Sequence, residues 1–298
     1  MTVPGASERP LERFAVSPAR RRRDTAARAA ILTATVIALI PLVLIIYYLL
    51  RKGLGSWSVN FFSTDPTGNT FFKNSQIGGI KSAILGTLEI VALASAIAIP
   101  IGICVAIWLV EYGRQSRFAN TVRFAVDVMT GVPSIIFGLF IYIALVVGTG
   151  STYAGYKGSL ALALLMLPVV IRAAEVILRL VPDELRESAL ALGAPRWRVT
   201  FRIVLPTALP GMLTGVLLAV ARAAGETAPL LFTAGATLKT NFNLNQFTNS
   251  LPVQIYNDVI SPTTSVEHRA WGAALTLVSM ILLLNVLARF VSRRSRLG

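Results

Sequence analysis

Only one cysteine and one histidine occur in the 298 residues. Cys104 alone rules out a disulfide framework, and with His268 as the sole imidazole no metal cluster of the His/Cys type can form. No serine and histidine pair in a way that reads as a hydrolytic site. Charge is scarce too, at 14% of residues where soluble domains carry roughly 25%. Acid is the scarcer sign, with 14 Asp and Glu against 28 Lys and Arg. A nucleotide-binding phosphate loop is also missing, because Gly78-Gly79-Ile80-Lys81-Ser82 opens an apolar run where such a loop follows a buried strand. The chain is therefore expected to have no catalytic residue, to hold no metal and to hydrolyse no ATP itself.

What the chain has in abundance is apolar sequence, 54% of it. Runs of roughly 17 to 25 mostly apolar residues cross a bilayer as helix. Six fall at Ala30 to Leu50, Ser82 to Val110, Phe124 to Gly148, Leu160 to Leu180, Ala208 to Leu231 and Ala270 to Val291. They lack strict alternation, which favours helices over barrel strands and predicts an all-α integral membrane protein. The first run ends in Arg51-Lys52 with no small-residue cleavage site, so it is expected to be an uncleaved anchor. Residues 1–29 are expected to be a basic, mostly disordered tail near anionic headgroups, and 30–298 the transmembrane domain.

A net charge of +14 suits nucleic acid or a membrane, and its placement decides for the membrane. If six spans alternate, one side carries Arg9, Arg13, Arg20 to Arg23, Arg28, Arg114, Arg117, Arg123, Arg186, Arg196, Arg198, Arg202, Arg289, Arg293, Arg294 and Arg296. The other side has only Arg51, Lys52, Lys73, Lys81, Lys157, Lys239 and Arg269. Positive residues mark the cytoplasmic side, so both termini are expected there. The opposite side holds two longer segments, an aromatic one with Trp57, Phe61, Phe62, Phe71 and Phe72, and an Asn-rich one from Ala234 to His268. They are expected either to meet an external binding protein or to be plain re-entry loops.

Charges also lie within the spans. Arg172, Glu175 and Arg179 share a helix face, and Arg222 and Glu226 stand at i and i+4 near the expected mid-depth of the fifth span. A charged residue at the centre of a membrane helix costs roughly 2.5 to 3.5 kcal/mol on insertion scales, so each needs an interior partner or a function. Either the pairs tie helices together, or Arg172 and Arg222 line an anion path while Glu175 and Glu226 hold the guanidinium groups between passages. A guanidinium fork suits phosphate by donating to two oxygens. Thr227 and Thr233 are further candidates, although span threonines often bond their own backbone. Gly131, Pro133, Ser134 and Pro229 are expected to interrupt or bend helices. Gly211, Gly215, Ala219 and Ala223 form a small-residue stripe suited to close packing.

Residues 182–206 are a polar, helix-forming interruption between two apolar runs. Asp183, Glu184 and Glu187 suit a first helical turn, Gly193 a helix end, and Trp197 an anchor in a second helix. Physics alone allows either an interfacial loop or a seat for a partner. The spacing of Glu187-Ser188-Ala189, Gly193, Ile203, Leu205 and Pro206 resembles the cytoplasmic coupling loop of ABC-importer permeases, with Ser188 in place of the usual second Ala. The run Ala221 to Thr233 narrows the resemblance to the A-type permease subunit of phosphate-specific importers. Gly131-Val132-Pro133-Ser134-Ile135 and Val181 to Arg186 extend it over nearly everything after about residue 75.

The resemblance implies a type I permease fold in the bacterial cytoplasmic (inner) membrane, forming half of a pathway for inorganic phosphate. It implies a heterodimer with a C-type permease, two ATPase subunits that hold ATP and Mg, and an extracytoplasmic phosphate-binding protein. The 187–206 residues would engage the ATPase, and Arg172, Glu175, Arg222 and Glu226 would serve phosphate passage. A permease for sulfate or molybdate is disfavoured by the Gly225 to Thr233 run. An ion-coupled secondary transporter is disfavoured by the coupling loop, and an intramembrane enzyme by the missing catalytic constellation.

Overall fold

A computed structural model describes residues 18–67, 78–113, 116–261 and 264–294. The expectations for Arg9, Arg13, Phe71, Phe72, Lys73, Arg114 and Arg296 lie outside them. The chain divides into two compact units, Met1–Tyr48 and Leu49–Gly298. Helix α1 (Pro18–Gly53) makes up the described part of the first unit and continues into the second. It corrects the expected disorder up to residue 29, since the basic stretch is helical from Pro18 onward. Pro18 suits a first turn, and the alanines that follow the arginines are strong helix formers. From Ile31 to Ile46 its large apolar side chains are exposed, an apolar surface suited to hydrocarbon.

In the second unit, α2 (Val59–Ser63) is capped by Ser58, whose hydroxyl accepts from the Phe61 amide at 3.2 Å. The centre of the bundle is α6 (Gly155–Arg179), packed against α3 (Lys81–Ile107) and α9 (Leu205–Ala224). Ile90, Ala94 and Ala98 of α3, Leu162, Met166 and Val170 of α6, and Val216, Ala219 and Ala223 of α9 form one buried core. Between hydrocarbon-facing helices the hydrophobic effect is weak, and close van der Waals packing between small residues takes its place. At Gly215 an added Cβ would lie 2.3 Å from the Ala173 Cβ, and at Gly211 2.8 Å from Ile177. The expected stripe is thus a packing seam, and its register shows α6 and α9 to be antiparallel.

Two expected spans are broken. The stretch Phe124 to Gly148 is not one helix but α4 (Arg117–Gly131) and α5 (Ser134–Ile141, continuing as a wider turn to Val147), bent by 102°. The residue before a proline is pushed out of the helical region, and Val132 takes φ −74°, ψ 130°. In the fifth span α9 stops at Ala224, Gly225 to Thr227 unwind, and α10 (Ala228–Thr233) restarts the helix. Pro229 sits in the first turn of α10, where its missing N–H costs nothing, so it begins a helix and does not bend one. The two half-helices meet: a Cβ on Gly138 of α5 would lie 2.5 Å from the Pro229 Cα.

The segment expected as a loop from Ala234 to His268 contains α11 (Leu251–Val259), which packs on α3 and on the final helix α12 (Thr264–Arg294). Among the described residues five helices are long and apolar enough to cross a membrane, or six if the bent α4–α5 pair is one span.

Candidate functional site

Near the C-terminal end of α6, the Glu175 carboxylate is the buried hub of an ion cluster, its side chain only 3% exposed. Arg123 Nε (2.8 Å) and Arg179 Nη2 (2.7 Å) donate to Oε1, and Arg172 Nη1 (2.7 Å) donates to Oε2. Arg123 also donates to the Leu109 carbonyl at 2.8 Å and to Asn120 Oδ1 at 3.1 Å. Arg172 donates to the Arg123 carbonyl at 3.1 Å and pairs with Asp127. The shared face of Arg172, Glu175 and Arg179 is as expected. Arg123 and Asp127, one turn apart on α4, complete the cluster from outside the expected set. Their i, i+4 spacing is the same signal that marks Arg222 and Glu226, but Arg123 precedes the expected third span and so reads as a loop charge. Among the described residues three guanidinium groups face two carboxylates, one more positive charge than negative.

The second charged pair lies elsewhere. Seven residues beyond Gly215, at a rise of about 1.5 Å each, Arg222 stands roughly 10 Å farther along the α6–α9 seam than the level of Ala173. The structure therefore places Arg172 and Arg222 in series and not in one cluster. Glu226, expected one turn along the same helix as Arg222, instead stands in the unwound junction after α9. Arg222 Nε and Glu226 Oε1 are 3.5 Å apart, long for a charge-assisted bond. The Arg222 side chain is 54% exposed and that of Glu226 only 18%. The junction is held by backbone, with Gly225 and Glu226 amides donating to Arg222 and Ala223 carbonyls. Thr227 caps α10 through its carbonyl, which accepts from Leu230 and Leu231. The Thr233 hydroxyl donates to the Pro229 carbonyl at 2.7 Å, turned to its own backbone.

Beyond α6 the chain forms a helical hook, α7 (Asp183–Ala191) and α8 (Arg196–Val199). Asp183 and Glu184 occupy the first turn of α7, where they complement the dipole. Gly193 at φ +79° ends it, with the Ala194 amide donating to the Ala189 carbonyl at 3.1 Å. From α8 one wide turn, Thr200–Val204, leads without a break into α9. Ile203, Leu205 and Pro206 thus lie on the long helix Arg196–Ala224 and not in a loop, so any push on the hook acts directly on a spanning helix.

Ala189 of the hook packs with Val199, Val204 and Ala208, while Glu187 and Ser188 are exposed and Ser188 Oγ donates to the Glu184 carbonyl. Arg186 is its buried anchor. It donates to Glu111 in the wide turn Trp108–Tyr112 that follows α3 (3.1 and 3.0 Å), to Asp183 (3.0 Å), and to the Val181 (2.6 Å) and Leu178 (2.9 Å) carbonyls. Outside this anchor, Leu185, Leu190, Leu192, Trp197 and Phe201 are exposed. A cleft of ≈ 330 Å³ opens beside them, lined in part by Glu111, Tyr112, Glu187 and Arg196.

Beyond its chain neighbours nothing lies within 4 Å of a Cβ built on Gly193, so a β-carbon has room there and the left-handed backbone is what resists substitution. Gly193→Val is expected to lower the unfolding midpoint, at a cost of about 1 to 2 kcal/mol. Gly193→Asn should be nearly neutral, since Asn tolerates that conformation. Thermal melting of the purified variants checks both.

The opposite end is held by polar networks. Arg269, expected as a loop charge, is buried in a two-pronged pair with Asp258 at 2.8 and 2.7 Å, and Gln254 links that pair to Asn249. Asp65 accepts from the Thr240 amide and hydroxyl, and buried Lys157 donates to Ser151 Oγ and the Thr152 carbonyl, both at 2.6 Å. Among the described residues no group of His, Cys, Asp and Glu is placed to hold a metal ion.

Residues 98–297 match the model of the family described as the binding-protein-dependent transport system inner membrane component. A phosphate transport system permease protein of Mycobacterium tuberculosis is 39% identical, over 93% of this chain and 91% of its own length. The corresponding protein of Yersinia pestis is 39% identical over 93% and 92%, and that of Haemophilus influenzae 42% over 85% and 88%. Among solved structures, a bacterial alginate ABC transporter in complex with its alginate-bound periplasmic protein aligns with a TM-score of 0.62 at 18% identity, over 92% of this chain and 96% of that one. An inward-facing methionine ABC transporter aligns at 0.57 and 19%, over 72% and 93%.

Proposed function

We propose, since this chain belongs to the family of binding-protein-dependent transport inner membrane components, that it is the permease subunit forming half of an inorganic phosphate pathway in an ATP-driven importer. The half-exposed Arg222 guanidinium, in the last turn of α9 beside the unwound Gly225 to Thr227 junction, carries this reading. Irregular backbone inside a membrane is tolerated only where protein or water satisfies it, and in transporters such breaks line the substrate route. A guanidinium there offers a planar fork to an oxyanion. Its contact to Glu226 is loose enough to be exchanged.

The rest of the assembly follows from what this chain presents. The exposed side chains of α7 and α8 offer a seat for two separate ATPase subunits, which would hold ATP and Mg. A second, C-type permease completes the pathway. An extracytoplasmic phosphate-binding protein meets the end stiffened by the Asp258–Arg269 and Asp65–Thr240 contacts. Both termini and the hook face the cytoplasm, in line with the arginine bias. Closure of the ATPases moves the hook, and through the continuous helix from Arg196 to Ala224 that motion reaches Arg222.

The test is uptake of radiolabelled phosphate by vesicles reconstituted with the co-purified complex. Uptake is expected only with ATP and the companion subunits present, and a large excess of sulfate or molybdate should not compete. Accumulation by this polypeptide alone, without nucleotide, would overturn the proposal.

A further inference from the structure

The two carboxylates that hold Arg172 differ in how firmly they are fixed. Glu175 is 3% exposed, lies on the same helix, and is gripped by two further arginines. Asp127 is 62% exposed, reaches Arg172 from α4, and has Arg172 as its one ion-pair partner among the described residues. Arg172 itself is 30% exposed. Removing Asp127 from the guanidinium leaves Glu175 and the Arg123 carbonyl in place, so the arginine stays positioned while one of its donors is freed. Removing Glu175 would instead take away the carboxylate shared by three arginines, leaving the 16% exposed Arg123 without its buried counter-ion.

We propose that Asp127 is the exchangeable counter-ion of Arg172: a phosphate in transit displaces it from the guanidinium, and its return expels the phosphate. The inference rests on the reading that phosphate passes Arg172. Asp127 meets the guanidinium through one oxygen at Nη2, and a phosphate oxygen can make the same charge-assisted contact, so one can replace the other without moving the arginine. The cluster's single excess positive charge rises to two when Asp127 swings away, which draws the anion in, and falls back when it returns. A permanently free Arg172 would hold its cargo too well. Asp127 is thus a positioning residue that acts on phosphate through Arg172.

The experiment compares Asp127→Asn and Asp127→Glu in the assembled, co-purified complex, with inorganic phosphate as the probe. Two quantities are read: equilibrium retention of labelled phosphate by the complex without its binding protein, and the maximal uptake rate in vesicles. Asp127→Asn removes the competitor, so retention is expected to tighten by up to about fivefold, the size set by a partly exposed ion pair. The maximal rate should fall by a similar factor, while Asp127→Glu stays near wild type. Unchanged retention and rate, weaker retention, or loss of the complex in Asp127→Asn would each overturn the inference, the last by showing Asp127 to be a structural bridge. Arg172→Ala separates the premise: if it transports at the wild-type rate the path reading itself falls. If it is inactive while Asp127→Asn is unchanged, only the role of Asp127 falls.

Discussion

Arg222→Ala is expected to reduce phosphate uptake by roughly 10- to 100-fold, the equivalent of one lost hydrogen-bonded charge contact to the moving anion. Assembly should survive. The Arg222 side chain is half exposed, its contact to Glu226 is long, and the helix end around it is held by backbone bonds that do not involve the side chain. Arg222→Lys keeps the charge but loses the planar fork, so partial recovery is expected. Glu226→Gln leaves the arginine in place and should retain most uptake. The measurement is ATP-dependent uptake at equal amounts of intact complex, and a wild-type rate in Arg222→Ala would remove this residue from the pathway.

Arg186→Ala is expected to uncouple the hook. Of the five hydrogen bonds this residue makes, two reach Glu111 in the turn after α3 and one the Leu178 carbonyl in the last turn of α6, while the others hold Val181 and Asp183 at the start of the hook. The Glu111 side chain opposite it is 9% exposed, so truncation strands a carboxylate away from water. Breaking a buried pair from one side costs about 3 to 5 kcal/mol, larger than any surface change on the hook. The spanning helices keep their own packing core, so the protein should still insert and fold in the membrane. The hook should become protease-sensitive, ATPase subunits should co-purify poorly, and phosphate-stimulated ATP hydrolysis should drop. Arg186→Lys cannot reach all of these acceptors and should fall between. A variant that co-purifies and hydrolyses as wild type would show that the hook does not need this anchor.

Both expectations depend on how charge sits inside a bundle, which is where sequence and structure part company. The apolar runs, the spacing of Arg172, Glu175 and Arg179, the packing stripe through Gly211 and Gly215, and the capped hook before Gly193 were all legible. Each rests on residues close in sequence, where helix periodicity and end chemistry decide the outcome. Pro133 likewise announced a break, though not its 102° angle. The helical start at Pro18 was obscured because a basic, alanine-containing stretch looks alike as a tail and as a helix. The unwinding at Gly225 to Thr227 was concealed by Pro229, which suggests a bend a few residues too late.

What the amino-acid order determined by itself is a chain of membrane helices with arginine concentrated in the segments that flank alternate apolar runs, charges that need partners, and a hook between two runs. Length, periodicity and the cost of bare charge in hydrocarbon suffice for that. Only the tertiary structure decided which partners the charges found. Arg123 reaches Arg172 and Glu175 across 49 and 52 residues of chain, and Arg186 reaches Glu111 across 75. Such distances along the chain close only when α3, α4 and α6 pack, because a short-range pattern carries no information about which helix ends come to rest side by side.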